Sequence, residues 1–102
     1  MKNKFSTVEV KDIKIENGTV VGILIKLQHA SLILIKANKG YVMCGYLNMN
    51  AANKFGDIAG RVTGVNTFDD VLNASISEFS ENAKNMGFIN GMKARNFLNE
   101  LI

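Results

Sequence analysis

The chain has 102 residues, 47% of them hydrophobic and 21% charged, with a formal net charge of +3. That length admits one domain, expected over residues 1–102, and the composition excludes a disordered tail, a collagen-like fibre and a disulfide-stapled miniprotein. A single cysteine, Cys44, cannot close an internal disulfide, so a reducing cytoplasm is the simplest expected compartment.

Residues 5–15 read as one or two short strands. Val8 and Val10 alternate with polar residues, but the apolar phase switches at Ile13 and Ile15, which predicts a bulge or turn around Lys11-Asp12. Asn17-Gly18 is the strongest short hairpin signal, because both residues tolerate positive φ. A second strand is expected over residues 19–27 and a third over 31–37, with a turn at Gln28-His29-Ala30. Asn38-Lys39-Gly40 makes the next tight turn, and a fourth strand covers residues 41–47. Four hairpin-linked strands make an antiparallel meander.

The character changes after residue 47. Asn48 or Asn50 caps a short helix that stops at Gly56, and the glycine-punctuated stretch 58–65 reads as a fifth strand. Thr67 with Asp70 resembles a capping box for a short helix through Val71 and Leu72. Ser75 with Glu78 resembles a second box, opening a helix with Ile76, Phe79, Ala83 and Met86 on one face. Gly87 ends it, and a last helix carries Met92, Phe97, Leu98 and Leu101. Strands first and helices mostly after predict an α+β domain, a largely antiparallel sheet with helices on one face. Residues 1–47 form its β-meander and 48–102 its helix-rich half.

The strands carry apolar residues on both faces. The second offers Val21, Ile23, Ile25 and Leu27 on one side and Val20 and Leu24 on the other. The third sets Leu32 and Leu34 against Ile33, Ile35 and Ala37. The few helices cover one face only, so the other is expected to be covered by another copy of the sheet, in a homo-oligomer built by the N-terminal strands. A curled sheet closing both faces within the monomer is the alternative.

The basic excess lies in residues 1–39, with seven lysines against three acids; residues 40–102 carry five basic and six acidic residues. Scattered strand lysines guard sheet edges against aggregation, and without an arginine-and-aromatic strip nucleic acid is not an expected partner. The polar stretch Met1–Asp12 does not read as a signal peptide. The most apolar stretch, residues 19–37, is interrupted by Lys26, Gln28, His29 and Lys36, so no membrane contact is expected.

Two stretches carry candidate chemistry. Cys44 reads first as a small buried hydrophobe. As a nucleophile it needs a base, and His29 is the sole histidine. Gly45 beside it allows close backbone approach. In Asp57-Ile-Ala-Gly60-Arg61-Val-Thr-Gly64, Arg61 suits a small anionic ligand, with Asn66-Thr67 supplying further donors. Its structural alternative is an ion pair with Asp57, Asp69 or Asp70. The spacing matches no phosphate-binding or dinucleotide motif, so no cofactor is expected. One cysteine and one histidine cannot hold a structural zinc within one chain.

Gly40-Tyr-Val-Met-Cys-Gly-Tyr-Leu-Asn48, Ala51-Ala-Asn-Lys-Phe-Gly-Asp57, Ala59-Gly-Arg61 and Thr67-Phe-Asp-Asp-Val-Leu-Asn-Ala74 resemble the YunC-like family of bacterial and archaeal proteins of unknown function. The resemblance covers roughly residues 18–101. It implies a two-layer sandwich whose N-terminal sheet region mediates tetramerisation, and it brings no catalytic residue. Its motif residues here are Cys44, Gly45, Gly60, Arg61 and Gly64. Three functional readings follow: a ligand- or partner-binding module, a structural assembly protein, and a small enzyme using the Cys44 thiolate, in that order. With one histidine and few clustered carboxylates, the enzyme stands last.

Overall fold

A computed structural model describes residues 8–102; residues 5–7 of the expected first strand lie outside the described residues. Strands β1 (Val8–Ile15), β2 (Gly18–Lys26), β3 (Ser31–Lys36) and β4 (Tyr41–Met43) form the antiparallel meander. Helix α1 (Met49–Phe55) crosses over to β5 (Ala59–Arg61), which pairs parallel to β4 as such a crossover requires. Helix α2 (Phe68–Asn73), strand β6 (Glu78–Phe79) and helices α3 (Glu81–Asn85) and α4 (Ala94–Asn99) complete the chain. The sheet runs in the order β1 to β6. This is an α+β two-layer sandwich.

Two of the expected caps form. Asn48 accepts from the Asn50 amide and Thr67 from the Asp70 amide, while Gly56 ends α1 in the left-handed region at φ 73°. The Asp70 carboxylate accepts from the Asn66 amide at 3.0 Å, one residue outside the helix.

Three local expectations are corrected. The β1–β2 ladder runs unbroken from Val8 opposite Ile25 to Ile15 opposite Gly18, so no bulge interrupts Lys11-Asp12. The change of phase is instead a change of face: Ile13 and Ile15 lie on one side of β1, Val8 and Val10 on the other. The hairpin turn is Glu16-Asn17, and neither residue takes a positive φ. It is docked rather than free: Asn17 donates two hydrogen bonds to Asn99 of α4, from its amide to Oδ1 and from its side chain to the carbonyl, and Asn99 donates to Glu16. That Asn99 bond, aided by Arg95, holds the Glu16 carboxyl below its ordinary range. Gly18 serves close packing, since a methyl there would stand 2.9 Å from Ile102 Cγ2.

The third correction concerns residues 75–79. No helix starts at Ser75; Glu78 and Phe79 pair with Arg61 and Gly60 as the edge strand β6. Here tertiary pairing overrides the local capping pattern. The cap moves to Ser80, fully buried, whose hydroxyl accepts from the Ala59 and Ala83 amides and donates to the Asp57 carbonyl.

The main core lies on the face covered by α2, α3 and α4. Val20, Ile33, Ile35 and Val42 from the strands meet Val71, Leu72, Phe97 and Leu98, all essentially inaccessible. Phe79, Phe88 and Phe97 form an aromatic trio with centroids 4.8–6.0 Å apart. The opposite face has a small cluster under α1, where Met49 and Ala52 pack on Met43 and Ala59. Beyond it, β1–β3 are bare: Val10 is 67% exposed, Val8 44% and Val21 36%, with Ile23 and Ile25 half-buried beside them. No helix among the described residues is long and apolar enough to cross a membrane.

Candidate functional site

Because β4 and β5 are parallel, their carboxyl ends point the same way and the segments leaving them run side by side. Residues 44–47 leave β4 and residues 62–66 leave β5, joined where the Val62 amide donates to the Met43 carbonyl at 2.9 Å. The carboxyl ends of parallel strands are where open α/β sheets bind their ligands. A cavity of about 340 Å³ opens there. Cys44, Gly45 and Tyr46 form one wall, and Thr63, Gly64 and Asn66 the other. Ala30 and Ser31, at the start of β3, close a third side, since the β3–β4 pairing brings that end of β3 alongside residues 44–46.

Cys44 is buried at the base of this arrangement, 3% exposed. Its amide donates to the Ile33 carbonyl at 3.1 Å, continuing the β3–β4 ladder. Its carbonyl leaves the ladder to accept from the Leu47 amide at 3.2 Å. The Ile33 amide then donates to the Cys44 Sγ at 3.3 Å. The sulfur thus replaces the carbonyl as the last ladder acceptor, which lets the chain turn away from β3 without orphaning a buried N–H.

The two glycines of the cavity differ in kind. Gly64 takes φ 71°, a conformation that strains any residue with a Cβ. Gly45 takes no positive φ, and a methyl there would meet only Thr63 Cγ2 at 3.7 Å, an ordinary contact. Neither backbone nor packing requires glycine at 45; what its missing side chain keeps open is space beside Thr63.

Of the candidates read from the sequence, Cys44, Gly45 and Gly64 come together in this cavity. Asp57, Gly60 and Arg61 do not. Gly60 lies buried mid-strand with Ile76 packed over it; a methyl would stand 2.9 Å from Ile76 Cδ1. Arg61 pairs with Glu78 at 2.9 Å across β5 and β6, not with Asp57, Asp69 or Asp70. Asp57 stands at the amino ends of the parallel strands, in a second cavity of about 270 Å³ with Lys36 and Lys39. There it accepts a 2.6 Å hydrogen bond from the Tyr41 hydroxyl. Burial first, and the Asp57 carboxylate second, push the Tyr41 hydroxyl up to about 12. His29 is exposed in the β2–β3 turn and does not line the Cys44 cavity. Ser31 has no signal in the sequence because no local motif marks a wall assembled from a distant hairpin, while Thr63 lies within the Asp57–Gly64 stretch without standing out as a candidate.

Among the described residues, no three His, Cys, Asp or Glu side chains converge as a metal site. No charged side chain lines the Cys44 cavity. Its polar groups are hydroxyls, the Asn66 amide and main chain.

Residues 43–101 match the family described as a domain of unknown function, DUF1805. The chain belongs to the DUF1805 family. It is 30% identical over 95 residues to the uncharacterized protein YunC of Bacillus subtilis, covering 89% of this chain and 94% of that protein. The crystal structure of TA1206, a protein of unknown function from Thermoplasma acidophilum, superposes with a TM-score of 0.87 at 42% identity, covering 93% of each chain. The DUF1805 match takes in both strand-end walls of the cavity, while the Ala30–Ser31 wall lies outside it. Neither relative has an assigned activity, so no DUF1805 residue brings a catalytic role to this chain.

Proposed function

We propose that this DUF1805 protein is a homo-oligomeric binding module of the reducing cytoplasm. It holds a small ligand in the Cys44–Gly45–Gly64 cavity, and its copies assemble through the bare face of β1–β3. The observation that carries the ligand site is a 340 Å³ cavity at the carboxyl ends of the parallel pair, with a glycine at 45 that the fold itself does not need. The assembly rests on Val8, Val10 and Val21, exposed side by side on one sheet face; an aliphatic patch left in water is costly and adhesive. A tetramer through the N-terminal strands is the form the family resemblance implies. A thiolate enzyme draws less support, because the Cys44 sulfur is engaged as a ladder acceptor and the cavity has no histidine or carboxylate to act as base.

Native mass spectrometry of the protein as purified tests both parts. An oligomer carrying a stoichiometric extra mass is the expected result, and that mass names the ligand class. A bare monomer overturns the assembly, and an oligomer at its sequence mass favours a structural role.

A further inference from the structure

We infer that the ligand of this cavity presents an oxyanion, a carboxylate or a phosphoryl group, held by main-chain amides rather than by a cationic side chain. The inference rests on the binding reading above and assigns the chemistry of that site. Arg61, the cation that the sequence offered for an anion, is committed to Glu78 and stands outside the cavity. The two segments that build the cavity carry donors instead. Among the described residues, the amides of Gly45, Tyr46, Thr63, Gly64 and Val65 find no acceptor within the protein. They are neighbours twice over: 45–46 follow β4, 63–65 follow β5, and a Cβ at Gly45 would stand 3.7 Å from Thr63 Cγ2.

Nearby amides differ. Those of Val62, Asn66 and Leu47 are each taken by Met43, Asp70 and Cys44. The five unpartnered amides all belong to residues that line the cavity. Successive main-chain amides that line one concavity can bind an anion without a formal positive charge. The side chains alongside add hydroxyls at Ser31 and Thr63 and bring no carboxylate that would repel an anion. Gly45 fits the same account, because its missing side chain leaves space beside Thr63 through which a ligand oxygen can approach its amide.

The test is a titration of the full chain with sodium phosphate and, separately, with sodium acetate, followed by two-dimensional amide NMR. Saturable shifts at Gly45, Tyr46, Thr63, Gly64 and Val65 are expected with one of the two. The stronger arm distinguishes a phosphoryl from a carboxylate ligand. Gly45→Ala and Gly45→Val should keep the dispersed spectrum of the folded protein while weakening that binding in steps, with Val losing about tenfold or more. Shifts confined to the lysine-bearing surfaces, or none in either arm, would overturn the oxyanion assignment. So would unchanged affinity in a folded Gly45→Val. A neutral extra mass in native spectra together with silent titrations would leave the binding cavity standing and remove only its anion chemistry.

Discussion

The two faces of the sheet are made from the same residue types and meet opposite fates. Ile33 and Ile35 point to one side of β3 and are 0% exposed under α2 and α4. On the other side Val10 is 67% exposed, two strands away in the same sheet. Hydrophobicity alone does not separate them. The covering helices do, and there are enough of them for one face and a corner of the second. A small α+β chain with a doubly apolar sheet therefore leaves apolar surface that its own helices do not cover.

Breaking the covered face should have the largest effect. Phe97→Ala removes a fully buried ring from the aromatic trio and is expected to cost about 3–5 kcal/mol, measured by urea unfolding. A cost below that of a surface substitution would mean the trio is not central to the core.

Next comes the edge of the cavity. Cys44→Ala leaves the buried Ile33 amide without its acceptor and should cost about 1–3 kcal/mol. Cys44→Ser, which restores an acceptor, should recover part of it. Equal losses in the two variants would assign the cysteine to packing alone.

A smaller effect appears only in alkali. The Tyr41 hydroxyl is pushed up to about 12, so the folded state holds that proton more tightly than the unfolded chain does. The resulting stability is present in full below the ordinary tyrosine range near pH 10 and is lost as pH rises through about 12. Tyr41→Phe should flatten thermal stability across that window, and an unchanged slope would remove Tyr41 as its source.

On the bare face the smallest stability change is expected. Val10→Lys should alter the unfolding free energy of the chain itself by no more than about 0.5 kcal/mol. The same substitution should shift the oligomer toward monomer by light scattering, so one variant separates folding from assembly. A Val10→Lys chain that stays fully oligomeric would move the interface elsewhere.

Much of this architecture was legible in the residue order. The meander, the caps at Asn48 and Thr67, the stop at Gly56 and the two apolar faces of β2 and β3 all follow from side-chain alternation and turn chemistry, which act over a few residues. Where longer-range contacts compete, local signals misled. Ser75 with Glu78 reads as a helix start, yet β5 recruits Glu78 and Phe79 as a strand. Asn17-Gly18 reads as a turn of positive φ, yet α4 takes hold of Glu16 and Asn17 and the turn forms one residue earlier.

The site divides along the same line. Sequence alone placed Cys44 and Gly45 inside a fourth strand over residues 41–47 and Gly64 inside a fifth over 58–65, whereas β4 ends at Met43 and β5 at Arg61, so all three lie beyond the strand ends. It also determined that β2 and β3 carry apolar residues on both faces. Only the tertiary structure decided that β4 and β5 run parallel, so that their ends converge on Ser31 of a distant hairpin, and that Arg61 turns instead to Glu78. The reason is physical: alternation and capping are set by neighbours along the chain. Which strand end meets which, and which charge finds a partner, depends on a crossover and a packing arrangement that exist only once the whole sheet has formed.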